Sequence, residues 1–313
     1  MSIPQSPHVV LGATGGAGRA VVNELADRGH AVRAVSRSPD AGFPEGTEVV
    51  TADCTDLGAA RRACEGAAVV YNCLNVPYDQ WARVLPVLTT NTIAAAGAAD
   101  APLIVTDNLY MYGPTDGPMT EETPRRPQGA KGQLRLEMEE KLLRAHERGR
   151  TRVAIGRASD FYGPHANSST HELVFEAILD GKTPAWLGAL DAPHTLSYLP
   201  DVAHGLVTLG THERALGDIW HLPSNDPITG RRFIERVYEI LGEAPRMRAY
   251  GYWALTLAGL FDAQIWEARE VLYQFQEPFV MDTSKFEAAF EHTVTPYDAA
   301  LRETLDWHRA QRA

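Results

Sequence analysis

The stretch "LGATGGAGRA", Leu11 to Ala20, follows the apolar run "HVV" and leads into "VVNELADRG". Gly12, Gly15 and Gly18 recur at every third residue between a strand signal and a helix signal. Glycine allows a tight turn and a close backbone approach, and the free N–H groups of the helix start favour a pyrophosphate. Thr14, Gly15, Gly16, Ala17, Gly18 and Arg19 are therefore expected to line a dinucleotide phosphate site together with Gly12.

Outward from this turn the chain alternates between two periodicities. "HVVLGA", "AVRAVSR", "EVVTADCTD", "AVVYNCLN", "PLIVTD" and "RVAIGRAS" read as six strands. The segments "AGRAVVNELADRG", "RRACEGA", "WARVLPVLTTNTIAAAGAAD" and a helix running to about Gly149 separate them. Strands joined by helical crossovers of this length imply an α/β fold, a Rossmann-type doubly wound parallel sheet. Beyond Ser159 the alternation breaks down. "HTLSYLPDVAHGLVTLG" and "GDIWHLP" read as a return to the sheet, and "HELVFEAILDG", "TGRRFIERVYEILG", "YWALTLAGLFD", "IWEAREVLYQFQ" and "PYDAALRETLDWHRAQ" as helices. The expected division is a dinucleotide-binding domain over 1–159, rejoined at about 194–222. A smaller, mainly helical substrate region would comprise 160–193 and 223–313.

Composition narrows the class of partner. The 313 residues carry a net charge of −11, against nucleic-acid or acidic-membrane binding, which need clustered Lys and Arg. No apolar run reaches the ~20 residues of a membrane helix, and the N-terminus runs into the first strand without a signal peptide. Cys54, Cys64 and Cys73 lack CxxC spacing, so no metal is expected and the setting reads as a reducing cytosol. After the second strand, where an acidic residue would hold an NAD ribose, stand Ser36 and Arg37. With Arg19 they suit a 2′-phosphate, so NADP(H) is favoured, with NAD(H) as the alternative.

These features resemble the short-chain dehydrogenase/reductase superfamily, in its extended and atypical, NAD-dependent epimerase/dehydratase-like branches. The resemblance includes Asp53 and Cys54 of "TADCTD", "YNCLN" (71–75), Asn91 of "TTNTIAAAGAA", "MYGP" (111–114), "GRASDFYGP" (156–164) and "HTLSYLPDVAHGL" (194–206). It implies cofactor contacts from Asp53, Cys54, Leu74, Asn75, Asn91, Thr106 and Asp107. It also implies dimerisation through the long helices at about 80–99 and 131–148.

The family's catalytic pair is missing. "PQGAKGQLRLEMEEKLL", Pro127 to Leu143, aligns with the YxxxK helix but puts Gly132 and Leu136 at the two working positions. Asn108 stands where the family has its serine or threonine. Candidates for the chemistry are Asn108, Tyr110 and Tyr112 after the fifth strand, Lys131 beside the vacant tyrosine position, and Asp160 and Tyr162 after the sixth strand. Arg135 could pair with a substrate anion. His194 stands where sugar-nucleotide enzymes of the family carry an arginine, and is a further substrate candidate.

The aromatic stretch "YWALTLAGLFDAQIWEAREVLYQFQEPFVMD" reads as helix core that could also roof a pocket for an aromatic or lipophilic substrate. The leading expectation is an NADPH-dependent reductase of a small-molecule ketone or aldehyde with a non-standard proton donor. The alternatives are an NAD(P)-dependent epimerase or dehydratase of a sugar nucleotide or related metabolite, and a non-catalytic NADP(H) sensor.

Overall fold

The computed structural model describes residues 6–38, 42–251, 266–267 and 269–312. Its centre is a seven-stranded sheet formed by β1 (His8–Leu11), β2 (Val32–Ser36), β3 (Glu48–Thr51), β4 (Val69–Asn72), β5 (Leu103–Asp107), β6 (Val153–Arg157) and β11 (Ile219–His221). The spatial order is β11-β6-β5-β4-β1-β2-β3, and every pairing is parallel. This is the doubly wound Rossmann-type sheet that the alternation predicts. Strand order reverses beside β1, and in such sheets the crevice at the strands' carboxyl ends receives the ligand.

One face of the sheet is covered by α2 (Leu57–Cys64), α3 (Trp81–Ala98) and α4 (Gly129–Glu147), the other by α1 (Gly16–Asp27) and α6 (Leu199–Thr211). The central strands are buried on both faces, which is why they read as continuous apolar runs. Local signals set the helix ends. Asp56 accepts from the Ala59 amide at 2.6 Å and so starts α2 a turn earlier than "RRACEGA" suggests. Gly29, at φ +76°, closes α1.

The rest of the chain packs on the carboxyl edge and differs more from expectation. Three two-stranded pairings, unforeseen because their strands have only two or three residues, join distant segments. β7 (Asp160–Tyr162) pairs with β10 (Leu196–Tyr198), β8 (Ala185–Leu187) with β13 (Arg248–Tyr250), and β9 (Pro193–His194) with β12 (Ile228–Thr229). "HELVFEAILDG" forms a π-helical turn, His171–Glu176, running into the short α5 (Ala177–Leu179). α7 (Gly230–Leu241) starts at a Thr229 cap, and Gly242 ends it in the left-handed region.

From "IWEAREVLYQFQ" the structure keeps a 3₁₀ helix at Arg269–Phe275, while "YWALTLAGLFD" (252–262) lies outside the described residues. A short helix at Ser284–Ala289 and a terminal helix at Tyr297–Ala310 follow. Among the described residues no helix is long and apolar enough to cross a membrane.

Candidate active site at the carboxyl edge of the sheet

The glycine turn is closed by backbone on three sides. A Cβ on Gly12 would lie 2.8 Å from the Cys73 carbonyl, and one on Gly16 would lie 2.6 Å from the His165 carbonyl. A Cβ on Gly18 would collide with the Gly12 carbonyl. Only glycine permits these approaches, and the first-turn amides of Gly16, Ala17 and Gly18 have no intrahelical acceptor. This cradle fits a dinucleotide pyrophosphate, and exposed Thr14 and Gly15 border it.

On the adenosine side, Asp53 accepts from the Thr55 amide at 2.9 Å and hydroxyl at 2.8 Å, which holds its carboxyl below the ordinary range. Asn91 is buried and donates to the Cys54 and Thr55 carbonyls at 2.9 and 2.8 Å. Its amide nitrogen therefore secures the adenine-side loop. The Cys54 thiol is buried, which pushes it up to about 11.

The groups expected to grip a 2′-phosphate are only partly free. Arg19 is buried, donates to the Gly42 carbonyl at 2.6 Å and lies 4.5 Å over the Phe43 ring. The Ser36 hydroxyl donates to the Ser38 carbonyl. Arg37 is exposed, close enough to Asp53 to help depress its carboxyl. On the nicotinamide side, Asn72 accepts from the Leu74 amide at 3.1 Å and so shapes the Leu74–Asn75 segment. Thr106 pairs with the Cys73 thiol at 3.4 Å.

Several expected reactive groups are engaged elsewhere. Arg157 is fully buried and bonds Asp107 at 3.4 Å, the Tyr112 hydroxyl at 2.6 Å, and Glu139. The other Asp107 oxygen takes Arg135 at 3.2 Å. Both oxygens of Asp107 thus face guanidiniums, which fix the end of β5 where a ribose contact is expected.

Tyr112 is fully buried, accepts from Arg157 and donates to His221 Nε2 at 2.8 Å, so it cannot serve as the proton donor. Tyr162 is also fully buried, packed between Tyr198, Phe233 and Tyr297, and burial pushes its hydroxyl well above the usual range. It is core and not catalytic. Arg135 is buried, pairs with Asp107 at 3.2 Å and stacks 4.3 Å over Trp81, while its Nε has no hydrogen-bond partner among the described residues. Lys131 is buried and ion-paired with Glu267 at 2.6 Å and Glu270 at 3.3 Å, clamping that segment onto α4 instead of replacing the missing lysine.

The vacant tyrosine position is itself filled. A Cβ on Gly132 would lie 2.7 Å from the Tyr110 carbonyl and 3.0 Å from Pro127 Cβ. Leu136, at the lysine position, packs with Leu109, Met111 and Phe279. Restoring the motif should therefore harm the protein. Gly132→Tyr is expected to cost about 1–3 kcal/mol through overpacking against backbone that cannot yield. Urea unfolding of the variant checks this, and a stability equal to the parent would show that the helix shifts to make room.

Five side chains, Tyr78, Asn108, Tyr110, Asp160 and its partner His194, gather near the carboxyl edge. Tyr110 and Tyr78 share a hydroxyl–hydroxyl bond of 2.8 Å, and burial holds both phenols above their ordinary range. Asp160, at the start of β7, bonds His194 Nε2 at 2.8 Å, and its charge also raises Tyr78, Tyr110 and Tyr273. Asn108 accepts from the Tyr110 amide at 3.1 Å and so fixes that turn.

Tyr78, Tyr273 and Gln274 were not singled out in the sequence. Tyr78 lies three residues beyond "YNCLN" and Tyr273 and Gln274 fall within the aromatic stretch, but only the fold brings them near Asp160 and His194. The aromatics Phe275 and Phe279 stack on His194 at 4.8 and 5.3 Å and are buried, while residues 252–265 of the same stretch lie outside the described residues. Away from the crevice, His171, Glu176 and His308 bring ligand-type atoms within 4.8 Å of one another.

A parallel sheet with a glycine cradle at the strand-order reversal and polar side chains over its carboxyl edge defines a Rossmann-type dinucleotide fold. The chain belongs to the NAD dependent epimerase/dehydratase family, whose model matches residues 8–222. It is 29% identical over 210 residues to "Uncharacterized protein y4nL" of Sinorhizobium fredii (strain NBRC 101917 / NGR234), covering 64% of this chain. That match spans 58% of the relative's length. Among solved structures it resembles MoeE5 in complex with UDP-glucose and NAD, at TM-score 0.79 and 20% identity, covering 98% of this chain and 100% of that one. It also resembles the UDP-glucuronic acid 4-epimerase from Bacillus cereus in complex with NAD, at TM-score 0.79 and 16% identity, with coverage of 98% and 100%. At such identities the likeness is one of fold.

Proposed function

We propose that this chain binds a nicotinamide dinucleotide along β1 and α1 and acts on a polyhydroxylated small molecule, such as a sugar nucleotide, in the manner of an epimerase or dehydratase. The observation that carries this reading is the polar crevice. Asp160 presents its carboxyl there, held by the buried His194 and beside the Tyr78–Tyr110 hydroxyl pair, polar groups suited to a hydroxylated ligand. A simple ketone reductase for lipophilic substrates would need an apolar pocket, and Tyr273, Phe275 and Phe279 are spent on core packing. Family membership weighs on the same side.

When bound, the nicotinamide supplies hydride acceptance and return. The chain's own part is to seat the pyrophosphate on Gly12–Gly18, to orient a hydroxyl or carbonyl over the carboxyl edge, and to move its proton. Incubation with NAD and a panel of nucleotide sugars, followed by chromatography, tests the reading. Redox-neutral conversion supports it. Net NADPH consumption against ketones would favour a reductase, and tight dinucleotide binding without turnover would favour a sensor.

The choice between NAD and NADP rests on Arg37. Arg19 is held by the Gly42 carbonyl, which leaves Arg37 as the open guanidinium beside the end of β2. If it grips a 2′-phosphate, Arg37→Asp should weaken NADP binding about 10–100-fold, the loss of one charge-assisted contact plus a new repulsion. NAD binding should change little. Isothermal titration with both dinucleotides checks this, and equal loss for both would remove Arg37 from the selectivity.

A further inference from the structure

Two buried histidines make the same first contact and differ in the second. His221 Nδ1 lies 2.9 Å from the Asp282 carbonyl, and His194 Nδ1 lies 3.0 Å from the Gln274 carbonyl. A carbonyl only accepts, so in each ring Nδ1 carries the proton and the neutral form has a bare Nε2. His221 resolves this simply, because Nε2 accepts from the Tyr112 hydroxyl at 2.8 Å. His194 Nε2 instead faces a carboxylate oxygen, Asp160 Oδ2, also at 2.8 Å. Two lone pairs cannot meet at that distance, so the contact requires one proton more than the parts hold in their ordinary neutral-imidazole and carboxylate forms.

We infer that Asp160 and His194 hold a single transferable proton and form the acid–base pair of this site, in place of the missing tyrosine and lysine. The inference rests on the proposed function and names the residues that carry its proton step. The extra proton is either on Nε2, as imidazolium beside carboxylate, or on Asp160, as acid beside neutral imidazole. The two forms share one hydrogen bond.

His194 is sealed in. Phe275 and Phe279 stack on its ring, Trp186 meets it edge-on, and its exposure is 2%. Asp160 keeps 21% side-chain exposure and is the outlet of the pair. Among the described residues the charged and titratable groups around it are Tyr78, Tyr110 and Tyr273, with Arg135 and Lys131 next to Tyr78 and Glu270 next to Tyr273. Among the described residues the side-chain bond to Asp160 comes from His194, and the charges of Arg135 and Lys131 are paired with Asp107, Glu267 and Glu270. In the donating direction the bond from the proton to Asp160 or Nε2 breaks. Its electron pair stays on that atom; a proton leaving Nε2 passes to the Asp160 carboxylate, and it is from Asp160 that the proton bonds a substrate alkoxide oxygen, the pair being left one proton poorer. In the accepting direction the substrate O–H bond breaks, its electrons stay on the substrate oxygen, and the pair regains its proton. The ligand class is a secondary alcohol or its ketone.

The test uses the full-length protein and two readouts. ¹⁵N-histidine NMR at neutral pH should show His194 protonated at Nδ1, and ¹³C-aspartate labelling should locate the second proton on Nε2 or on Asp160. A bare Nδ1, or a pair holding no second proton, overturns the inference. Asp160→Asn preserves the shape and donates an amide hydrogen to Nε2 but has no proton to transfer. It should lower kcat about 10²–10⁴-fold, the usual worth of general acid–base catalysis, while dinucleotide affinity and Tm stay at the parent values. Asp160→Ser serves as the second variant if the asparagine form does not fold. Turnover by the parent with kcat retained in both variants sinks the pair and leaves the proposed function standing. No turnover by the parent sinks the proposed function, and the catalytic role of the pair with it.

Discussion

Replacing Arg157 by methionine should destabilise the protein by about 3–5 kcal/mol, the usual cost of removing one partner from a buried ion pair. Arg157 has no exposed surface and is the hinge of the buried polar layer beneath the crevice. Its guanidinium holds Asp107, Glu139 and the Tyr112 hydroxyl together, a task that suits its planar fork. Without it, Asp107 keeps Arg135 at 3.2 Å and Glu139 keeps Arg125 at 3.2 Å. Each acid is left with one partner, which places the loss toward the lower end of the range. Against a typical total of about 5–15 kcal/mol this remains a large fraction. Arg157→Lys should recover only part of it, since one ammonium cannot bridge all three acceptors. Urea titration measures both variants. A loss below about 1 kcal/mol for methionine would mean that the layer repacks without its hub, as some buried ion clusters do.

The second large effect is on the acid side. Burial lowers His8 to about 4, helped by the charge of His30, and lowers His308 to about 4, helped by His171 and Arg312. His221 falls to about 3, mainly by burial and then by Arg157. These folded values lie below the unfolded value of 6.5. Between the two, the unfolded chain binds more protons, so stability is full above about pH 6.5 and declines as pH falls toward 4. Each histidine contributes a slope of up to about 1.4 kcal/mol per pH unit, and three acting together about 4.

Asp201 opposes this, because burial raises its carboxyl and the folded state gains a proton there as pH falls. Glu24 and Asp282 are held low by hydrogen bonds and add to the loss at still lower pH. Guanidinium unfolding at pH 7, 6 and 5 should therefore show a falling midpoint before the ordinary carboxylate range is reached. A flat profile would show that these imidazoles find water or a partner when charged.

The dinucleotide cradle was legible in the sequence because everything it needs is local. Gly12, Gly15 and Gly18 set the turn, and the flanking apolar runs supply the strand and the helix. The parallel sheet was legible for a similar reason, since strands separated by helical crossovers have few other ways to pack. The catalytic end was not. Tyr112 looked like a candidate donor because it follows β5, and its commitment to Arg157 and His221 depends on residues 45 and 109 positions away. Lys131 looked like a replacement ammonium until Glu267 and Glu270 were folded against it.

"PQGAKGQLRLEMEEKLL" shows where that division falls. By itself the sequence established that the usual tyrosine and lysine are absent and that a dinucleotide fold surrounds the gap, because residue identity and short-range spacing suffice for both. Only the tertiary structure decided that the Tyr110 carbonyl closes the gap and that Asp160 meets His194 across 34 residues. The physical reason is range. Turns and helix starts are set by neighbours in the chain, whereas the protonation of a buried pair depends on which acceptor the fold places against each ring nitrogen.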